Sequence, residues 1–192
     1  MVAKTTSVAR AGAPNRVRIT GGQYRSRILR FPASVQLRPT PDRVRETIFN
    51  WLGQDLTGRT CLDLFAGSGA LGFEAASRNA AAVVLVEQDR DIFAALRENQ
   101  RLLGATATEL VQRNALEFIG RQARRYDIIF IDPPYDFGKT EELFFRLPAL
   151  LAAGGMVYRE GPRFLPESQE WVSYRQAKAG AVHYQLLQYN HA

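Results

Sequence analysis

The chain has 192 residues, 46% of them hydrophobic, and a formal charge of +6. That length suits one domain with a small appendage, and that apolar content excludes a disordered chain. A single cysteine, Cys61, and two histidines, His183 and His191, exclude an intramolecular disulfide and a thiolate zinc cluster. Any metal would rest on carboxylates alone, and none is expected. No apolar run approaches the ~20 residues of a membrane span, and the N-terminal stretch MVAKTTSVARAGAPNR lacks the apolar segment of a secretory signal. The expectation is a cytoplasmic, metal-free protein with a flexible tail over residues 1–15.

The charge is uneven. Residues 1–60 hold 11 of the 25 Lys+Arg and 3 of the 19 Asp+Glu, so they carry +8 while the remainder carries −2. Such asymmetry is the electrostatic footprint of a polyanion partner. Charge alone is equally compatible with a solubilising surface.

In chain order, residues 16–31 (RVRITGGQYRSRILRF) alternate polar and apolar positions around Gly21-Gly22. They predict a two-stranded hairpin whose glycines form a turn or a bulge. Arg16, Arg18, Arg25, Arg27 and Arg30 stud it, with Tyr24 among them. A hairpin is marginal alone in water, and one so basic reads as a nucleic-acid-binding arm, over residues 16–36, rather than a core element. Thr40 then reads as an N-cap and Pro41 as the first residue of an amphipathic helix over 41–52, stopped by Gly53.

From residue 60 strands and helices alternate. Strands are expected at Thr60–Leu64, Ala82–Glu87, Glu109–Gln112, Tyr126–Ile131 and Met156–Arg159. Helices are expected at Gly69–Arg78, Arg90–Leu103, Ala115–Arg124 and Glu141–Leu151. Trp171–Lys178 and Ala181–Tyr189 read as a closing hairpin. This order predicts an α/β fold, a parallel sheet covered on both faces with an antiparallel addition, occupying residues 37–192. No surplus apolar stripe is evident, which points to a monomer.

Four motifs carry chemistry. Asp63-Leu64-Phe65-Ala66-Gly67-Ser68-Gly69, continuing to Gly72, places a GxGxxG pattern between a strand and a helix. That pattern invites a dinucleotide reading. Asp63 at the strand end would repel a diphosphate, and Phe65-Ala66 suit a thioether chain. A cationic cofactor such as S-adenosylmethionine (SAM) fits better. Glu87 ends the next strand, where an acid can take ribose hydroxyls. Asn114-Ala115 follow the third strand, where an amide can hold an adenine ring or cap the next helix. Asp132-Pro133-Pro134-Tyr135 follow the apolar strand YDIIFI. The prolines fix the backbone, Asp132 and the Pro133 carbonyl accept amino hydrogens, and Tyr135 stacks on a planar base. Catalysis would then be positioning and electrostatics, with the base drawn out of its stack.

With these motifs in order, the chain resembles the RsmD family of bacterial small-subunit rRNA guanine-N2 methyltransferases. The resemblance rests on RITGGQYRSRILRFP, RPTPDRVRETIFNWL, DLFAGSGALGFEAASR, VEQD, RNAL and DPPYDFGK. It implies a Rossmann-like fold of seven strands with an N-terminal hairpin extension, SAM as cofactor, and transfer to N2 of one guanine within a ribosomal particle. It implies that Asp63 through Gly69, Glu87 and Asn114-Ala115 line the SAM site, that the block from Arg38 through Glu46, Thr40 included, closes over it, and that Asp132 through Tyr135 form the catalytic motif. The alternatives are adenine-N6 methylation of DNA or RNA, which shares DPPY but usually brings a larger recognition segment, and a catalytically silent SAM- or RNA-binding module, which has no use for DPPY. A nucleotide-dependent oxidoreductase is the third.

Overall fold

The structure, a computed structural model, describes residues 15–33 and 40–190. The expected tail, apart from Asn15, lies outside the described residues, as do Arg38 and His191. The chain opens with β1 (Asn15–Arg18) and β2 (Ile28–Phe31), then α1 (Asp42–Trp51). The alternating body follows: β3 (Thr60–Asp63), α2 (Ala70–Ser77), β4 (Ala82–Glu87), α3 (Arg90–Leu103), β5 (Thr108–Gln112), α4 (Ala115–Ile119) and β6 (Tyr126–Ile131). It closes with α5 (Thr140–Arg146), a 3₁₀ turn (Leu147–Leu150), β7 (Leu151–Gly161), β8 (Trp171–Ala179) and β9 (Val182–Tyr189).

β3 to β9 make one seven-stranded sheet in the order β5-β4-β3-β6-β7-β9-β8. The first five strands in that order are parallel, and β9 slots antiparallel between β7 and β8. The apolar strands VVLV and IIFI are buried on both faces, as a helix-covered parallel sheet requires. From β3 the chain winds outward through β4 to β5, then returns to β6 on the other side. The carboxyl ends of β3 and β6 therefore flank the switch point at which open α/β sheets hold ligands.

The N-terminal hairpin forms as expected, with Arg16 opposite Arg30 and Val17 opposite Leu29. It is not detached from the core, however. Val17, Ile19, Leu29 and Phe31 are buried in the cluster that also holds Ile48, Phe49 and Phe73, each such burial being worth about 1.5–3 kcal/mol. Its loop sits on the end of α2. The Gln23 amide donates to the Ser77 carbonyl at 2.8 Å and the Tyr24 amide to Ser77 Oγ at 2.8 Å. Gly22 has φ +73°, and a Cβ there would lie 1.8 Å from the Ser77 carbonyl. The glycine pair thus serves a close approach of backbones. A buried carboxylate secures the seat: Glu74 accepts from the Thr20 amide, the Thr20 hydroxyl and the Gly21 amide, each at 2.8 Å, and pairs with Arg78 at 2.9 Å.

Three boundaries differ from expectation. Pro41, not Thr40, is the N-cap of α1, and no side chain caps it; the Thr40 hydroxyl is drawn to a buried acceptor elsewhere. α4 stops at Ile119 rather than continuing to residue 124, because Gly120 and the polar run after it have no apolar face to bury. The helix expected through Leu151 ends at Arg146, and Pro148 converts its continuation to a 3₁₀ turn. Leu151 then begins β7, which runs on to Gly161.

Candidate active site

A cleft of about 1810 Å³ opens over the carboxyl ends of the parallel strands. This exceeds the ~300–1,000 Å³ of an ordinary ligand pocket and leaves room for two molecules side by side. Asp63 through Ser68 and Glu87 line one part, and Asp132 through Tyr135 and Arg159 through Pro166 line the other.

The first part is built on β3. Asp63 is buried, and its Oδ2 accepts from the Gly72 amide at 3.0 Å, pinning the start of α2 to the strand end. Burial pushes its carboxyl up to about 7, against the lowering effect of the Gly72 and Phe65 amides. Gly69 caps α2 in the left-handed region at φ +79°, and a Cβ would meet Phe73 at 2.5 Å and Leu96 at 2.7 Å. Phe65 packs edge-on against Phe137, with centroids 5.0 Å apart.

Glu87, at the tip of β4, decides what this loop can bind. Its Oε2 accepts from the Gly67 amide at 3.0 Å and its Oε1 from the Asp89 amide at 2.8 Å. In a diphosphate-binding loop such an amide points at the ligand's anion. Here a protein carboxylate already occupies it, so the loop presents negative charge. Burial, the first cause, raises the Glu87 carboxyl above its ordinary value. The donor set suits a cationic ligand with hydroxyls rather than a diphosphate.

Asn114 caps α4: its Oδ1 accepts from the Leu116 amide at 3.0 Å, and its Nδ2 donates to Gln88 Oε1 at 2.9 Å. The capping role is thus realised, and Ala115 is buried at the cleft wall.

The second part is built where β6 and β7 end together. Ile131 pairs with Arg159, so the next residues, Asp132 and Glu160, leave adjacent parallel strands side by side. Glu160 was not anticipated from the sequence. Its Oε1 accepts from the Thr40 hydroxyl at 2.7 Å and from the Tyr158 hydroxyl at 2.8 Å. The nearby Thr40 hydroxyl also favours the ionised form of Asp132, though burial outweighs it. Burial, then the neighbouring Glu160 and Asp63 carboxylates, raise Asp132 well above the usual carboxylate range. Burial likewise raises Glu160, partly offset by the two hydroxyls. Asp132 and Pro133 are half-buried, while Pro134 is exposed and Tyr135 is 71% exposed at the cleft mouth.

The basic hairpin lies apart from these groups but is tied to them. Arg45 is fully buried and donates to the Thr40 carbonyl at 2.6 Å and to the Arg18 carbonyl. One guanidinium thus joins β1 to the residue that bonds Glu160. Among the proposed RNA contacts, Arg18 pairs with Asp42 at 3.1 Å and Arg27 donates to the Leu102 carbonyl at 2.6 Å. Arg16, Arg25 and Arg30 are exposed and form no ion pair among the described residues. Tyr24 is half-buried, packed against the core cluster.

Fold and site together define a methyltransferase of Rossmann-like architecture. The chain belongs to the family described as Conserved hypothetical protein 95, whose sequence model matches residues 17–188. It is 43% identical over 177 residues to Ribosomal RNA small subunit methyltransferase D of Escherichia coli K12, covering 90% of this chain and 89% of that protein. It is 36% identical over 186 residues to the protein of the same name from Haemophilus influenzae, covering 92% and 95%. A solved structure titled "Putative methyltransferase yhhF from Escherichia coli" superposes with a TM-score of 0.83 at 38% identity, covering 93% of this chain and all of that one. No described helix is long and apolar enough to cross a membrane.

Proposed function

We propose that the protein transfers a methyl group from SAM to the exocyclic N2 of a guanine in small-subunit ribosomal RNA. Its substrate is a ribosomal subunit or assembly intermediate, and it acts as a cytoplasmic monomer. The observation that carries this reading is the placement of Asp132-Pro133-Pro134-Tyr135 after β6, across the switch point from a glycine loop whose amide is already held by Glu87.

SAM, when bound, supplies an electrophilic methyl on a sulfonium. Glu87 and Asp63 would offer that cation acidic groups, Glu87 lone pairs would serve ribose hydroxyls, Phe65 would face the thioether chain, and Asn114 and Ala115 would hold the adenine end. Asp132 and the Pro133 carbonyl accept hydrogens of the guanine amine, tipping its nitrogen toward tetrahedral and aiming its lone pair. Tyr135 covers the flipped base. Asp132, when ionised, or water would take the proton that the amine sheds on methylation.

The hairpin supports the polyanion half of the reading. Its outer face sets Arg16 directly opposite Arg30, and like charges in that relation destabilise a hairpin unless a counter-anion joins them. Arg18, Tyr24, Arg25 and Arg27 extend the same basic surface. Binding through this surface weakens as salt rises.

The test incubates purified protein with methyl-labelled SAM and small subunits from cells lacking this gene, then digests the RNA to nucleosides. Label in N2-methylguanosine is the expected result. Label in N6-methyladenosine, or none with SAM binding intact, contradicts the reading.

A further inference from the structure

Glu160 lines the cleft beside Asp132 without being one of the motif residues, and its bonding is lopsided. Both hydroxyl donors, from Thr40 and Tyr158, go to Oε1. No described residue donates to Oε2. The one hydrogen of the Thr40 hydroxyl is committed to Glu160 Oε1. Glu160 thus presents one uncommitted carboxyl oxygen among the residues that line the cleft. Asp132 and Glu160 each follow a residue of the Ile131–Arg159 pair, so their backbones stand about 4.8 Å apart, the spacing of neighbouring strands.

Guanine offers that pair what it can use. Its Watson–Crick edge carries an N1–H donor next to the N2 amine. Adenine sets an acceptor at N1 beside its own amine. With the amine held at Asp132, N1 falls toward Glu160. We propose that Glu160 accepts the N1–H of the target guanine and is the residue that excludes adenine from this site. An adenine there turns a lone pair toward a buried carboxylate and leaves that carboxylate unpaired. A site built to bond a polar hydrogen rejects analogues lacking it strongly, by up to ~10⁴–10⁵-fold in favourable cases. The inference rests on guanine-N2 transfer being the reaction.

The experiment uses small subunits reconstituted with ribosomal RNA that carries, at the methylated position, either guanosine or 2-aminopurine riboside. The analogue keeps the 2-amino group and lacks the N1 hydrogen. The wild-type protein is expected to favour guanosine by at least ~10²-fold in kcat/KM. Glu160→Gln, whose amide can donate to an unprotonated N1, is expected to narrow that preference at least tenfold while SAM affinity is unchanged. A wild-type preference below threefold, or an unchanged preference in Glu160→Gln, overturns the proposal. If thermal melting shows that Glu160→Gln does not fold, Glu160→Asp replaces it. That variant withdraws the carboxylate by one methylene, and the same narrowing is expected and the same constancy decisive. Absence of any methylation of guanosine would instead remove the underlying reaction, so the two failures are distinguishable.

Discussion

The Thr40 hydroxyl donates to Glu160 Oε1 at 2.7 Å across 120 positions of chain. This bond joins the entrance of α1 to the end of β7 within the cleft. Thr40→Val keeps the shape and removes the hydroxyl. We expect kcat to fall about 10–100-fold, in line with the loss of a hydrogen bond to a charged group, with SAM affinity changed less than threefold. Steady-state kinetics together with calorimetric titration check this.

The paired carboxylates give the reaction a pH signature. Asp132 is held above the usual carboxylate range, and Glu160 is one cause. Asp132 accepts the amine proton only when ionised, so single-turnover rates should rise as pH is raised, and the rise should lie above the ordinary carboxylate range. Removing the neighbouring charge in Glu160→Gln lowers the Asp132 value and should move the rising limb to lower pH. A limb that stays in place would separate Glu160 from the titration of Asp132.

Arg45 should matter more to stability than any exposed arginine of the hairpin. It is fully buried, bonded to two backbone carbonyls and Asp42, and 4.0 Å from Glu74. Arg45→Met strands those acceptors and one side of the Glu74 charge, a loss of about 3–5 kcal/mol. Arg18→Ala, at a 59% exposed side chain, should cost less than about 1 kcal/mol. Urea unfolding of both variants distinguishes them.

Asp63 should make the ligand-free protein less stable as pH rises. Its folded-state value, about 7, lies above the ordinary 3.8. The folded state therefore binds this proton more tightly than the unfolded state. The stability so gained is present in full below about pH 4 and lost as pH rises through 7. Asp63→Asn cannot titrate, and its melting temperature should decline less between pH 5 and pH 8 than that of the wild type.

Much of this architecture is legible in the sequence because periodicity and turn chemistry agree along most of the chain. VVLV and IIFI read as buried strands, DLFAGSG as the turn after β3, and DPPY as a rigid loop at a strand end. Tertiary competition was not legible. Thr40 reads as a helix cap by local rules, yet a buried carboxylate far along the chain takes its hydroxyl. Glu160 reads as an ordinary acid after a short strand, and only the β6–β7 register sets it beside Asp132. The hairpin's arginines are the conspicuous half of its pattern, but the alternating Val17, Ile19, Leu29 and Phe31 are what build it into the core. The Glu74 seat for the glycine turn has no local signature, since its donors are backbone amides more than fifty residues away.

The account turns on Asp132 acting on the amine rather than holding the cofactor. Single-turnover methylation by Asp132→Asn on unmethylated small subunits, with SAM affinity measured on the same preparation, tests it most directly. The expected result is a rate at least ~10³-fold below wild type with SAM affinity within threefold. A variant that methylates within tenfold of the wild-type rate would contradict the central claim.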